Sequence, residues 1–308
     1  MDGPQANWLA DGRRLHLHHG PIDLIVEAFG AASECRAAYA QAVDRFRTIL
    51  TELVAELPQL RQPARLAPAL VRDGGSSRGG VACSTFSGPT ARRMEEAVAP
   101  LARTFITPMA AVAGSVADEV LAAMLAGRIL ERAYVNNGGD CALHLAEGRS
   151  MRLAIAGTGH GLADRVTLHA DDPVRGVATS GWRGRSFSLG IADAVTVLAR
   201  TGAEADAAAT IVANAVDLPA HPAIERQPAC LLQPDSDLGE RLVTTSVGPL
   251  SPLEIAQALD KGLAVAEDLR RRGHFVAAAL FLSGESRICG PLMLAAPSSS
   301  PTKEPAHA

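Results

Sequence analysis

Apolar and polar positions alternate over Leu15-His16-Leu17-His18 and resume over Ile22-Asp23-Leu24 after Gly20-Pro21, which predicts two strands joined by a turn. The period then changes. Tyr39, Val43, Phe46, Ile49, Leu50 and Leu53 recur every three or four residues, so the spacing predicts one long helix over 31–57, ended by Pro58. The Gly/Ser segment 73–80 reads as a mobile loop. Thr90 reads as the cap of a helix from Ala91, with Met94, Val98 and Leu101 on one face. Ile106-Thr107-Pro108 breaks the chain before a second helix over 110–126. Strand candidates then follow one another with Gly or Asp turns and no helix between them: 133–136, 141–146, 151–156, 165–170, 176–179, 187–189 and 194–199. That succession suits an antiparallel sheet rather than a doubly wound parallel one. A helix over 204–216, a strand over 242–247, an amphipathic helix over 252–272 and a closing hairpin around Gly284 complete the pattern. The expectation is an α+β fold in a single domain over 1–295, followed by a disordered Ser/Pro-rich tail over 296–308.

Composition narrows the classes. The chain has 308 residues, 47% of them hydrophobic, ample for a core. Its net charge of −4 argues against a dedicated nucleic-acid binder, which would be strongly basic. Aromatics make up only 4%, and Lys261 and Lys303 are the only lysines. The five cysteines, Cys35, Cys83, Cys141, Cys230 and Cys289, are widely spaced with no CxxC, so reduced thiols are expected rather than a disulfide framework. The start of the chain carries early acids and no apolar run of the signal-peptide type. The long apolar run 109–127 is interrupted by Asp118 and Glu119. These features lead to the expectation of a cytoplasmic protein with no membrane span.

Five groups of residues could carry chemistry. Val135-Asn136-Asn137-Gly138-Gly139-Asp140 ends a strand in two amides, two glycines and a carboxylate. It serves either as a tight hairpin with an Asx turn or as a loop that lets a phosphate approach the backbone. Thr179-Ser180-Gly181, followed by Trp182-Arg183-Gly184-Arg185-Ser186, offers hydroxyls and two guanidiniums, as a phosphate or carboxylate site or as an exposed polar loop. Asp206 and Thr210 are four apart, so a helix puts both on one face, which Asn214 extends. The alanines between them leave room for a ligand. A carboxylate with a hydroxyl suits Mg²⁺, whereas the simpler reading is an acid favouring the positive end of a helix. Gly114, in the run from Ala113 to Asp118, permits either an anion near a helix start or close helix packing. His16, His18 and His19 form the last group. His16 and His18 share a strand face at a spacing a transition metal could use, but no paired acid or third ligand is evident, which favours a surface pair.

The order of these groups resembles the ApbE superfamily of FAD:protein FMN transferases, which hold Mg²⁺ at their site. VNxGGD corresponds to Val135–Asp140, TSG to Thr179–Gly181 and ADALAT to Ala205–Thr210. Longer stretches resemble an uncharacterised ApbE-like family within it. These are LHxxHGPIDL at Leu15–Leu24, TPMAAVAG at Thr107–Gly114, RSFSLGIADAVTVLA at Arg185–Ala199 and PDSDLGxRLV at Pro234–Val243. The resemblance covers about residues 13–290. It implies a T-fold-like architecture of antiparallel sheets packed with helices. It further implies Mg²⁺ at Asp206, Thr210 and the backbone of Gly114. A cofactor, FAD or another nucleotide, would lie near Asn136, Asn137, Gly138 and Gly139, with its phosphate held by Thr179, Ser180 and Gly181. Asp140 and Asp193 are the carboxylates available as a general base. Two departures stand out. Ala113 replaces the lysine of the superfamily's AKG motif, and no HxxDPxxG follows Gly181. The same lettering occurs earlier, from His169 through Asp172-Pro173 to Gly176, where it reads as an Asp-Pro turn between strands. The functional expectation is a Mg²⁺-dependent transferase or hydrolase acting on a small flavin- or nucleotide-type molecule, without nucleic-acid or membrane partners. The alternative is a non-catalytic cofactor carrier or a structural oligomer that has lost FMN-transfer chemistry. T-fold relatives commonly associate through their sheets, which makes a homodimer an expectation.

Overall fold

The computed structural model describes residues 3–65, 84–154 and 165–292. The elements run β1 (Gln5–Trp8), β2 (Leu15–His19), β3 (Ile22–Phe29), α1 (Ala32–Leu60), α2 (Pro89–Val98), α3 (Val112–Leu125), β4 (Arg132–Asn137), β5 (Asp140–Leu145), β6 (Ser150–Ala154) and β7 (Arg165–His169). They continue with β8 (Gly176–Ser180), β9 (Ala194–Ala199), α4 (Gly202–Ala215), β10 (Ile224–Pro228), α5 (Ala229–Leu232), β11 (Leu242–Val247), α6 (Pro252–Arg271), β12 (Ala277–Leu282) and β13 (Glu285–Cys289). Nine strands make one antiparallel sheet in the order β1-β2-β3-β4-β5-β8-β9-β12-β13, and β6–β7 and β10–β11 are separate antiparallel pairs.

Strand alternation divides the sheet into two faces. Leu17, Leu24, Val26, Val135, Ala142, Val195 and Val197 point to the helices, where they share a core with Phe46 and Ile49 of α1, Val116 and Val120 of α3, and Leu259 of α6. Leu143, Val177, Leu198, Ala279 and Phe281 point the other way, under Met151, Val166 and Leu168 of the β6–β7 pair. β9 and β12 lie between both layers and are buried along their whole length, which is why they read as apolar runs, interrupted only by Thr196 in β9. Each large side chain buried in this way contributes about 1.5–3 kcal/mol of transfer free energy.

Several elements depart from the expectation. α1 continues through Pro58 to Leu60. Proline removes one helical hydrogen bond but leaves the following turn intact, here on a flank where Val54 is exposed. Thr90 is not the cap of α2. It is buried inside the first turn, and Gly88 occupies the cap position. The Glu56 carboxylate accepts the Ser87 and Gly88 N–H groups there. Residues 187–189 are not a strand. Their polar groups go to Asn214, whose Oδ1 accepts from the Ser188 hydroxyl at 3.2 Å and the Leu189 N–H at 2.9 Å. β1 and β10 have no counterpart in the sequence pattern, because both are short and β10 carries polar residues on both faces. Cys35, Cys141, Cys230 and Cys289 are free. The Gly/Ser segment 73–80, Cys83 and the tail 296–308 lie outside the described residues.

Candidate functional site

The β4–β5 connection is a two-residue turn in which Asn137 and Asp140 face each other across the ladder. Gly138 and Gly139 take φ of +64° and +118°, values that side chains resist, and this explains the paired glycines. Asn136 Oδ1 accepts from the Gly139 N–H at 2.8 Å, the Asx closure that the sequence allows. Asn137 lies on the helix side, where its Nδ2 donates to the Ala113 carbonyl at 3.1 Å. Asp140 shares the strand face of Ala142, on the same helix side. It is buried, and its Oδ1 accepts from the Thr179 N–H at 3.0 Å.

Helices α3 and α4 approach until backbone meets backbone. A Cβ on Gly114 would lie 2.1 Å from the Gly202 carbonyl oxygen, so no larger residue fits there. At this contact the helices exchange carboxylates. Asp206 of α4 reaches back to α3, its Oδ2 accepting from the Gly114 N–H at 3.0 Å. Asp118 of α3 reaches the start of α4 and accepts the Gly202 and Ala203 N–H groups at 2.9 and 2.8 Å. Gly114 therefore contributes an N–H to Asp206, while its carbonyl faces Gly202. Thr210 follows Asp206 by one turn, is part-buried, and its hydroxyl makes no hydrogen bond to the described residues.

The remaining residues divide. Thr179 belongs to the opposite face, where its hydroxyl pairs with that of Thr196 at 2.8 Å. Its hydroxyl is thus turned from the Asp206 side, and only its N–H serves Asp140. Ser180 takes the helix-side parity of Ala178, and Gly181 abuts the Asp193 carbonyl. Asp193 is engaged on both oxygens. Oδ1 accepts from Trp182 Nε1 at 3.3 Å and Arg183 Nε at 2.5 Å, and Oδ2 from the Ser283 N–H at 2.6 Å. It anchors the loop after β8 and is occupied as an acceptor. Arg185 lies over the β4–β5 turn, its Nη1 3.1 Å from a Cβ position on Gly138. Among the described residues it makes one hydrogen bond, a 3.4 Å contact from Nη2 to the Pro21 carbonyl. The sequence ranks Arg183 and Arg185 equally, whereas Arg183 is ion-paired to Asp193 and Arg185 has no carboxylate partner among the described residues. The His169–Gly176 lettering forms the β7–β8 turn, with Asp172 Oδ2 accepting the His169 N–H at 2.7 Å. Asp118 is the residue that sequence reasoning missed. Its signal was the acid interrupting the apolar run of α3.

The electrostatics single out the paired acids. Burial pushes Asp140 up to about 7, against the opposing Thr179 N–H. Burial first, and then the Asp140 charge, push Asp206 well above the carboxylate range, against backbone N–H groups of Gly114 and Ala113. Burial likewise raises Asp118, opposed by the Ala203 and Gly202 N–H groups. Among the described residues neither Asp140 nor Asp206 has an ion-pair partner, unlike nearby Glu119, which holds both Arg45 and Arg93 at 2.8 Å. Two mutually repelling carboxylates, one buried and one part-buried, with a hydroxyl one helical turn from the second, fit a hard divalent cation.

A family model described as "AbpE bacteria" matches residues 6–288. A UPF0280 protein of Methanopyrus kandleri is 36% identical over 125 residues, covering 40% of this chain and 48% of that protein. One from Methanoregula boonei is 32% identical over 161 residues, covering 50% of this chain and 66% of that protein. The chain thus spans 48% and 66% of the length of these two curated relatives. Among solved structures, the apo crystal structure of Pseudomonas stutzeri flavinyl transferase ApbE aligns over 94% of this chain and 96% of that one, at 14% identity and a TM-score of 0.39. The family match runs from β1 to β13 and contains both paired carboxylates, so the chain belongs to this bacterial ApbE-like family.

Proposed function

We propose that the protein binds a flavin or related nucleotide through its phosphates with the help of Mg²⁺, and transfers or hydrolyses part of that molecule. The observation that carries this reading is the Asp140–Asp206 pair, the first buried and the second part-buried, without a cationic partner among the described residues and held in place by backbone N–H groups. Asp206 and Thr210 would hold the ion from one helix face, with Asp140 across from them. Gly114 keeps the Asp206 carboxylate aimed by its N–H. A bound Mg²⁺ neutralises phosphate charge and polarises a reacting phosphoryl oxygen. Arg185, above the Gly138–Gly139 turn, would bind phosphate oxygens, and Asn136, Asn137, Gly138, Gly139, Ser180 and Gly181 shape the adjoining sheet end. Asp140 is the carboxylate left to accept a proton, since Asp193 is engaged by Arg183, Trp182 and the Ser283 N–H.

Calorimetric titration of the protein with FAD, with and without Mg²⁺, tests the reading. Binding is expected to require the ion and to be lost in Asp206→Asn. Equal FAD binding without Mg²⁺, or in the variant, would sink it. A second reading, a non-catalytic cofactor binder, is supported by the His169–Gly176 turn, which uses its His/Asp/Pro lettering to close a connection. Product analysis after incubation with FAD and Mg²⁺ separates the two. Turnover supports the enzyme, and unaltered bound FAD supports the binder.

A further inference from the structure

The two-histidine pattern of β2 gains a third member from the fold. Antiparallel register puts Asp23 of β3 directly opposite His18 and diagonal to His16, on the sheet face away from the helices. The carboxylate divides its oxygens between the rings. Oδ1 is 3.0 Å from His16 Nε2 and Oδ2 is 3.6 Å from His18 Nδ1. One ligand atom from each of the three residues lies within 4.8 Å of the other two. His18 Nδ1 is withdrawn from solvent and has no hydrogen-bond partner among the described residues. A gap of 3.6 Å is too long for a hydrogen bond, but it suits two donors to one ion with bonds of about 2.0–2.2 Å. His19 is not part of this group, because it turns to the helix side and stacks edgewise on Phe46. The neighbours across the other ladder, Gln5 opposite His18 and Asn7 opposite His16, are neutral.

We propose that His16, His18 and Asp23 form a binding site for a late first-row divalent ion, Zn²⁺ or its like, with at least one coordination position left open. Two imidazoles and a carboxylate favour Zn²⁺ over Mg²⁺, because nitrogen donors suit the softer ion. Three protein ligands leave a tetrahedral ion one place for water or an exogenous donor. The side chains of all three are between 31% and 45% exposed, so that place faces solvent. The site lies on the opposite sheet face from Asp140 and Asp206 and is independent of them.

The test is titration of the metal-stripped full-length chain with Zn²⁺ by calorimetry, with a chromogenic chelator as competitor. One equivalent is expected to bind at this site and to survive excess Mg²⁺. His16→Gln, His18→Gln and Asp23→Asn are each expected to weaken that equivalent by more than about tenfold, the scale on which even outer-shell changes act. Asp206→Asn is expected to leave it unchanged. Imidazole ¹H–¹⁵N spectra of the wild type are expected to show His16 and His18 shifting together at one equivalent, a readout that needs no variant to fold. No stoichiometric binding would overturn the proposal, as would Zn²⁺ that binds the three variants as tightly as the wild type.

Discussion

Asp140 and Asp206 are each held by backbone N–H and, among the described residues, by nothing positively charged, so their ionisation works against the fold. An acid whose folded value lies above its unfolded value of about 3.9 binds its proton more tightly in the native state. Its stabilising effect is complete below the unfolded value and is lost as pH rises through the folded one. The metal-free protein is therefore expected to lose melting temperature from about pH 4 to about pH 7, the upper bound being that of Asp140. Asp140→Asn should flatten the decline, and Mg²⁺ should oppose it. Thermal melts across that range, with and without the ion, check the slope. Arg185→Ala is expected to weaken a phosphate-bearing ligand about tenfold, close to 1.4 kcal/mol, while Arg183→Ala has little effect on affinity; paired titrations decide between them. At this scale sequence reading succeeded where neighbours lie along one element. Asp206 and Thr210 share a helix face because they are four apart. It failed where partners come from another strand, as with Asp23, which reaches the histidines through ladder register. Nor could it see which acids and amides hold loops, since Asp193, one of the two carboxylates offered as a base, and Asn214 serve the segment 182–190.

Helices α3 and α4 form the frame of the site. The apolar run of α3 is broken by two acids, and both breaks have structural partners. Asp118 closes the start of α4. Glu119 sits between α1 and α2; its burial raises it, but hydrogen bonds from Arg45 and Arg93 outweigh that and hold it below its ordinary range. The interruptions were legible in the sequence, but their partners were not, because Arg45 and Arg93 come from other helices. Gly114 shows the same limit. Its neighbourhood in the sequence allowed either close packing or ligand approach, and the structure has packing, with the N–H serving Asp206. Gly114→Ala would force apart the backbones of both helices, and its expected cost is about 2–3 kcal/mol, at the upper end for overpacking. Urea denaturation measures that loss. Displacement of Gly202 should also carry Asp206 away from its amide, so a Mg²⁺ titration of the same variant should show weakened binding.

Across the whole molecule, the sheet separates two sets of chemistry. The helix side carries Asn137, Asp140, Ser180 and, from above, Asp206. The far side carries the β6–β7 pair in the middle and the His16–His18–Asp23 group toward the β1 edge. The strand succession foretold antiparallel pairing, yet not that β6 and β7 leave the main sheet, so that β8 pairs directly with β5. Alternation gives strands and faces, while strand order depends on how the β6–β7 pair folds over the sheet. The segment Pro108–Leu125 is apolar and long enough to cross a membrane, but 56% of it is buried within this fold, consistent with a core helix. The carboxylate exchange between α3 and α4 has a consequence in time as well as in space. The N–H groups of Gly114, Gly202 and Ala203 are all bound to carboxylates where the two helices meet, so their protons should trade with deuterium only when the helices separate. Their exchange rates should follow global unfolding and should all rise together in Gly114→Ala, which would make three ordinary backbone amides a clock for the opening of the site.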